Sequence, residues 1–211
     1  MSSLLGLVLL LSTTLNNPNL AELNQLSEKA DSKYIANTEN TVILKVPYTH
    51  QIDDLPENKK DEIGTTACGP ATIQMILNYF EDNYTLYQVI EKLPASVYVR
   101  GSMFYNLYDG PKQFGYDITK VKNNPENIFQ TLKKGQPIIL NIQNYDAITG
   151  HAVVIVGITE FDGQTAKSLI VHDPYVSAYR NFEYINNWQL NQPEGYTNYI
   201  GILEPFTFSR N

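Results

Sequence analysis

The sequence contains a single cysteine and only three histidines. One cysteine excludes an internal disulfide, so no pairing pattern indicates the redox compartment. The histidines and the cysteine are scattered along the chain, and none shows the close ligand spacing that zinc sites require. We therefore predict neither a metal site nor a cofactor.

Basic clusters and long apolar runs are also missing. No run of Lys or Arg is longer than two residues, and the net charge is −7 with a pI of about 4.9. Nucleic-acid-binding proteins carry a basic patch, so nucleic acid is not a predicted partner. The apolar run Leu4–Leu11 has eight residues, which is too short to span a bilayer.

The length of Leu4–Leu11 is typical of the apolar region of a secretory signal. We interpret residues 1–16 as a signal-peptide-like segment and predict export, although a basic start and an A-x-A cleavage site are missing. A buried N-terminal helix in a cytoplasmic protein is the alternative. Residues 17–40 are polar and read as a linker with one short helix over 20–29. The folded domain is predicted over 41–208.

Apolar spacing predicts helices in the first half of the domain and strands in the second. Ile73, Ile76, Leu77 and Phe80 follow the helical period, and further helices are predicted over 85–93 and 123–135. The charged stretch 52–66 reads as a surface loop. A strand is predicted up to Val46, and further β-rich runs follow Gly135: "QPIILNIQ", "HAVVIVGITEF", "SLIVHDPY" and "TNYIGILEP". This order predicts an α+β fold with N-terminal helices packed on an antiparallel β-sheet.

Cys68 lies at the predicted start of a helix, in "ACGPATIQMILNYF". Pro70 suits the first helical turn. A helix N-terminus lowers the pKa of a thiol and favours the nucleophilic thiolate. Cys68 is therefore a candidate nucleophile, and a buried free cysteine that packs as a small apolar residue is the alternative.

His151 begins the strand "HAVVIVG" after Gly150, a position at the rim of a sheet that suits a general base. Asp173 ends the next strand and is a candidate to orient His151; a turn residue before Pro174 is the simpler interpretation, and the two roles are compatible. Gln51 is a candidate oxyanion donor together with the backbone N–H of Cys68, or else an ordinary loop residue.

The remaining histidines and the C-terminal aromatic residues have simpler interpretations. His50 and His172 read as surface or satisfied core histidines. Several aromatic residues either line a cleft or, as we expect for most of them, pack over the sheet: Tyr175, Tyr179, Tyr184, Trp188, Tyr196 and Tyr199.

Four motifs in order, "VPYTHQ", "ACGPATIQMILNYF", "GHAVVIVGI" and "VHDPY", resemble the C39-like peptidases, a papain-like group of cysteine peptidases. The resemblance covers roughly residues 42–203. It implies a papain-like fold and hydrolysis of peptide bonds in a peptide or protein substrate. It also implies a nucleophile at Cys68, a general base at His151, an orienting carboxylate at Asp173 and an oxyanion donor at Gln51.

Seventeen positions separate Gln51 from Cys68, which is longer than in compact papain-type domains. The intervening loop must fold back for Gln51 to reach the site. Acyl transfer to an amine, as in phytochelatin-synthase-like or transglutaminase-like proteins, uses the same three groups and is the first alternative. A non-catalytic peptide-binding module on the same scaffold is the second. The sequence leaves the oligomeric state open.

Overall fold

The structure, a computed structural model, describes residues 20–29, 32–98, 107–143, 150–187, 189–191, 197–200 and 204–210. The predicted signal-like segment over 1–16 lies outside them. The described helices are α1 (Leu20–Lys29), α2 (Glu57–Ile63), α3 (Cys68–Tyr79), α4 (Leu86–Lys92) and α5 (Pro125–Lys133). Short 3-10 turns cover Gly64–Thr66, Ala95–Val97 and Pro111–Phe114.

The described strands are β1 (Tyr34–Asn37), β2 (Val42–Leu44), β3 (Asp117–Lys120), β4 (Ile138–Gln143), β5 (His151–Thr159), β6 (Ser168–Asp173), β7 (Ser177–Asn186), β8 (Gln189–Asn191), β9 (Thr197–Ile200) and β10 (Phe206–Ser209). They form one sheet in the order β1-β2-β5-β6-β7-β8-β9-β4-β10-β3, with a further pairing between β4 and β5. The described pairings are antiparallel. The α+β architecture predicted from the sequence is therefore confirmed.

Helix α3 is buried on nearly all sides rather than on one face. Eleven of its residues, from Cys68 to Leu77 and Tyr79, are buried, and the helix packs against β5. The apolar period at Ile73, Ile76 and Leu77 identified one buried face correctly, but Gln74 and Met75 between them are buried as well. The helix is therefore a central element that fixes the position of its first residue.

Strand β5 holds the sheet together because it pairs with β2, β4 and β6. Strand β2 approaches β5 closely at Gly157, where a Cβ atom would lie 2.9 Å from the carbonyl oxygen of Val42. Only glycine permits this approach without a shift of backbone. All nine residues of β5 are buried, as expected for a strand with neighbours on both edges and both faces.

The structure corrects the interpretation of residues 17–40 as a linker. The helix predicted within it is confirmed as α1, but Leu23 on α1 belongs to the hydrophobic core. Strand β1 pairs with β2 and buries Ile35 and Ala36. Few apolar residues occur here, so composition suggested a linker, yet each of these three reaches the sheet.

The charged stretch 52–66 also differs from its prediction as a loop. Helix α2 follows Pro56, has no buried residue, and carries the i,i+3 ion pairs Lys59–Glu62 and Lys60–Glu57. Such pairs stabilise an exposed helix, and only Ile63 at its end packs, half-buried, against a small hydrophobic cluster. Most of the stretch is exposed, although Leu55 and Gly64 are buried, and it folds into a helix and a 3-10 turn that lead directly into α3.

Candidate active site

The first residue of α3 carries the thiol. Cys68 is 8% exposed and is free of any disulfide. Its sulfur lies within hydrogen-bonding reach of His151 and of the backbone N–H groups of Gly69 and Ala152. The helix and strand β5 thus meet at this sulfur.

The imidazole comes from the first residue of β5. His151 is 3% exposed, and its Nε2 lies 2.7 Å from Oδ1 of Asp173. Since Nε2 faces the carboxylate, Nδ1 is the nitrogen that hydrogen-bonds the thiol of Cys68. The register explains the contact. Strand β5 begins and the antiparallel β6 ends at the same end of the strand pair, with Val154 opposite His172.

The carboxylate of Asp173 is completely buried and has a partner on each oxygen. Oδ1 accepts from His151 Nε2 and, at 3.0 Å, from the N–H of Tyr175. Oδ2 lies 2.6 Å from Nη1 of Arg180 on β7. The hydroxyl of Tyr48 donates to the carbonyl oxygen of Asp173 at 2.9 Å. Asp173 therefore both begins a turn and contacts His151, the two compatible positions that the sequence suggested for it.

The loop before α2 folds back so that Gln51 contacts both the turn after Asp173 and the 3-10 turn that precedes α3. Its backbone N–H donates to the carbonyl oxygen of Pro174 at 2.7 Å, and its Nε2 donates to that of Gly64 at 2.7 Å. Gln51 is 2% exposed, and its Oε1 is buried without a hydrogen-bond partner among the described residues. The separation of 17 positions is thus accommodated by α2 and the 3-10 turn.

Burial and the neighbouring groups act in opposite directions on the two titrating groups. Burial alone raises the pKa of the Cys68 thiol, but the hydrogen bond and charge of His151 and the N–H groups of Ala152 and Gly69 lower that pKa overall. Burial alone lowers the pKa of His151, yet the hydrogen bonds and charges of Asp173 and Cys68 raise it. A lowered thiol pKa beside a raised imidazole pKa favours a thiolate–imidazolium pair near neutral pH.

The two remaining histidines are structural. His172 is buried, its Nε2 donates to the carbonyl oxygen of Val46 at 2.9 Å, and its Nδ1 accepts from the N–H of Tyr179 at 3.0 Å. Burial lowers the pKa of His172 to about 4, against the opposing effect of the hydrogen bond to Val46. His50 lies in the loop, where its Nε2 is 3.1 Å from the carbonyl oxygen of Tyr175.

Two residues of the site, Arg180 and Tyr48, were not predicted. Arg180 and Phe182 lie two residues apart on β7 and therefore face the same side of the strand, and both are buried. An arginine on the buried face of a strand requires an anionic partner. The spacing of Arg180 and Phe182 is therefore the signal in the sequence that could have indicated a carboxylate beside Arg180. Nothing in the sequence around Tyr48 distinguishes it from the other tyrosines.

Of the C-terminal tyrosines whose side chains are described, two pack and one is exposed. Tyr179 stacks edge-on against His172, and Tyr184 packs against the core, whereas Tyr175 is exposed beside Asp173. Trp188 and Tyr196 lie outside the described residues, and only the backbone of Tyr199 is described.

Within the described parts of the chain, no three His, Cys, Asp or Glu side chains are placed to hold a metal ion. Among the same residues, no helix has both the length and the apolar character needed to cross a membrane. The site as described consists of a thiol, an imidazole, a carboxylate and a guanidinium.

A thiol at the start of a buried helix, facing an imidazole–carboxylate pair at the rim of an antiparallel sheet, is the arrangement of the papain-like class of domains. The chain belongs to the Peptidase_C39 like family, whose model matches residues 43–196. This membership confirms the resemblance seen in the sequence motifs.

Two solved structures illustrate the similarity. A double glycine motif protease from an AMS/PCAT transporter, in complex with its leader peptide, is 18% identical, with 79% of this chain and 92% of that chain covered and a TM-score of 0.45. The peptidase domain of Streptococcus ComA, a bi-functional ABC transporter of a quorum-sensing pathway, is 15% identical, with 70% and 93% covered and a TM-score of 0.42. No curated protein matches the chain.

Proposed function

We propose that this protein is a cysteine peptidase that hydrolyses peptide bonds through an acyl-enzyme formed on Cys68. The observation that carries the proposal is the contact of one imidazole with both the thiol of Cys68 and the buried carboxylate of Asp173. A nucleophile, a base and an orienting group in mutual hydrogen-bonding reach are the requirements of covalent acyl transfer. Membership of a peptidase family supports the same chemistry.

In the first half of the reaction, the thiolate of Cys68 attacks the carbonyl carbon of the scissile bond. The carbonyl π electrons move to its oxygen. As the tetrahedral species collapses, the C–N bond breaks, and the imidazolium of His151 transfers its Nδ1 proton to the departing amine. The acyl group remains on Cys68 as a thioester, and His151 is neutral.

In the second half, His151 removes a proton from a water molecule, and the resulting hydroxide attacks the thioester. The C–S bond breaks, the carboxylic acid leaves, and the thiolate–imidazolium pair is restored. Asp173 holds the ring with Nε2 directed at its carboxylate, so Nδ1 faces the sulfur throughout. Its charge also stabilises the imidazolium.

The developing oxyanion requires donors. As the first residue of α3, Cys68 has a backbone N–H with no acceptor inside the helix. Gln51 donates one amide hydrogen to Gly64 and carries a second, which we assign to the oxyanion. The anchored position of Gln51, fixed through both its backbone and its side chain, supports this role.

Peptide hydrolysis in oxygen-18 water tests the proposal. The protein is incubated with a mixture of synthetic peptides, and the products are analysed by mass spectrometry. We expect new carboxyl termini that carry oxygen-18. Cys68→Ser and His151→Ala should each lower kcat/KM by ~10³-fold or more. Because serine is close in size to cysteine, Cys68→Ser should retain the melting temperature and serves as the matched fold control.

The other outcomes are distinguishable. Products amidated by an added amine such as glycylglycine indicate acyl transfer rather than hydrolysis. Peptides that are bound stoichiometrically but stay intact indicate a binding module. Cleavage that persists in Cys68→Ser contradicts the assignment of the nucleophile. Export remains a prediction from residues 1–16, and secretion of a fusion to those residues tests it.

A further inference from the structure

Arg180 pairs with the second carboxylate oxygen of Asp173 and is itself buried. Its side chain is 5% exposed, and its Nη1 lies 2.6 Å from Asp173 Oδ2, opposite the oxygen that faces His151. The guanidinium also lies over the ring of Phe182, at 5.2 Å from the ring centre. These contacts hold the arginine in one orientation, so its charge acts on Asp173 from a fixed place.

Four ionisable groups from four different elements therefore form one buried row: the thiol of Cys68 on α3, the imidazole of His151 on β5, the carboxylate of Asp173 on β6 and the guanidinium of Arg180 on β7. With the ion pair formed, the charges −1, +1, −1 and +1 cancel. Without Arg180 the row would carry a net negative charge in a site of low dielectric constant, and both anions would be less stable there.

We propose that Arg180 is a positioning residue that sets the pH range in which Cys68 is a reactive thiolate, an inference that rests on the proposed function. It acts through Asp173: it holds the carboxylate ionised and aimed at His151, and its positive charge stabilises the anions of the row. Arg180 does not touch the reacting atoms.

The sign of the effect follows from the charge. Removing a positive charge stabilises the protonated form of each neighbouring group, so the pKa values of Cys68, Asp173 and His151 all move to higher pH. Loss of Arg180 therefore shifts both limbs of the pH profile towards alkaline pH. A residue that contributes only to packing would change stability or the maximal rate and leave the limbs in place.

The other titratable and charged groups around the row are the same in the wild type and in each variant, so the comparison of profiles isolates Arg180. Besides Cys68, His151 and Asp173, they are Tyr48, His50, Asp53 and Asp54 from the loop before α2, His172 from β6 and Tyr179 from β7. Burial and Asp173 raise the pKa of Tyr48, so it stays protonated. His172 stays neutral above pH 5 because burial lowers its pKa to about 4.

Alkylation of the thiol gives a readout that needs no turnover. Since Cys68 is the sole cysteine, one iodoacetamide adduct in the intact mass reports this thiol alone. The alkylation rate is measured from pH 4 to 10 for the wild type, Arg180→Gln and Arg180→Lys. The matched control is Arg210→Gln, because Arg210 is an exposed arginine that pairs with Asp82.

We expect the acid-side midpoint of Arg180→Gln to move up by about one pH unit, which makes alkylation below the midpoint roughly tenfold slower. Arg180→Lys keeps the charge and should stay near the wild-type profile, as should Arg210→Gln. Coincident profiles of wild type and folded Arg180→Gln overturn the proposal. So does a shift in Arg180→Lys as large as that expected for glutamine, even where the glutamine variant fails to fold.

The proposed function has a separate outcome. A wild-type thiol that alkylates only around its ordinary pKa contradicts the thiolate–imidazolium pair itself. A low wild-type midpoint without peptide hydrolysis leaves the role of Arg180 in place and contradicts the peptidase assignment alone.

Discussion

At the scale of single residues, Asp173 is where the charges of the site converge. Its two oxygens face a histidine on one side and an arginine on the other, and its carbonyl oxygen accepts from Tyr48. A fully buried carboxylate is stable only when its lone pairs are satisfied by good donors. The number of donors here suggests that the carboxylate is ionised and held in one rotamer.

Asp173→Asn should move the basic limb of the kcat/KM profile to lower pH by about one unit and lower its maximum by ~10²-fold. An asparagine has a single acceptor oxygen, so its amide nitrogen must face either His151 or Arg180, which are both donors. Without the negative charge, the pKa of His151 falls and the imidazolium is lost earlier as the pH rises. The pH dependence of peptide hydrolysis measures the shift.

Asp109→Asn is the control, because Asp109 is an exposed aspartate paired with Lys112. Its profile should match the wild type. A folded Asp173→Asn variant with an unchanged basic limb would show that this carboxylate has no influence on the charge of His151. The expected shift is opposite in sign to that of Arg180→Gln, so the pair of variants separates the two charges.

The sequence identifies the residues of the site whose position depends on local structure. Cys68 begins a helix and His151 begins a strand, and both positions were predicted from the apolar pattern together with the neighbouring Pro70 and Gly150. Arg180 depends on the register of β6 against β7, with Val171 opposite Arg180, and register is not visible in local patterns. The position of Gln51 depends on the path of a loop. The sequence therefore suggested its role but not its hydrogen bonds to Pro174 and Gly64.

At the scale of elements, the starts of α4 and α5 are determined by specific capping residues. Thr85 precedes α4 and forms a capping box: its hydroxyl accepts from the N–H of Gln88, and its own N–H donates to Oε1 of Gln88. Asn124 caps α5 through the N–H of Asn127. These caps explain why the predicted starts of both helices agree with the structure to within one or two residues.

Thr85→Ala should lower the free energy of unfolding by about 1 kcal/mol, because it leaves a helix N–H without its acceptor. For a domain of this size the melting temperature should fall by about 2–4 °C. Thr85→Ser keeps the hydroxyl and should stay close to the wild type. Thermal unfolding followed by circular dichroism measures the difference. Equal losses in the two variants would mean that the methyl group, rather than the cap, contributes the stability.

Elements that lack an internal pattern were harder to predict. Helix α2 has no buried residue, so no apolar period reveals it. The short strands β3 and β10 pair with each other at the edge of the sheet, and β3 is largely exposed. Such strands form because a partner strand supplies their hydrogen bonds, and the partner lies far away in sequence.

At the scale of the whole molecule, residues 20–29 and 32–37 belong to the fold. Leu23 on α1 is 1% exposed, and the hydroxyl of Tyr179 donates to Oγ of Ser27 at 3.1 Å. Tyr34 on β1 donates to the carbonyl oxygen of Lys133, at the end of α5, at 2.9 Å. The segment thus contacts β7 and α5, elements that also flank the sheet strands of the site.

Leu23→Ala should therefore destabilise the protein by about 2–5 kcal/mol, as expected for the loss of a fully buried leucine side chain. The melting temperature should fall by roughly 5–15 °C in thermal unfolding. Asn24→Ala, one residue along on the exposed side of the same helix, should have almost no effect.

The comparison separates the two descriptions of this segment. In a linker, neither side chain would be buried in the folded state, and both variants would melt with the wild type. In the structure, Leu23 fills space in the core that α1 shares with β7, so only its truncation leaves a cavity. Equal melting temperatures for Leu23→Ala and Asn24→Ala would contradict the packing of α1. A selective loss in Leu23→Ala would extend the cooperative unit of the domain at least 18 residues before Thr41.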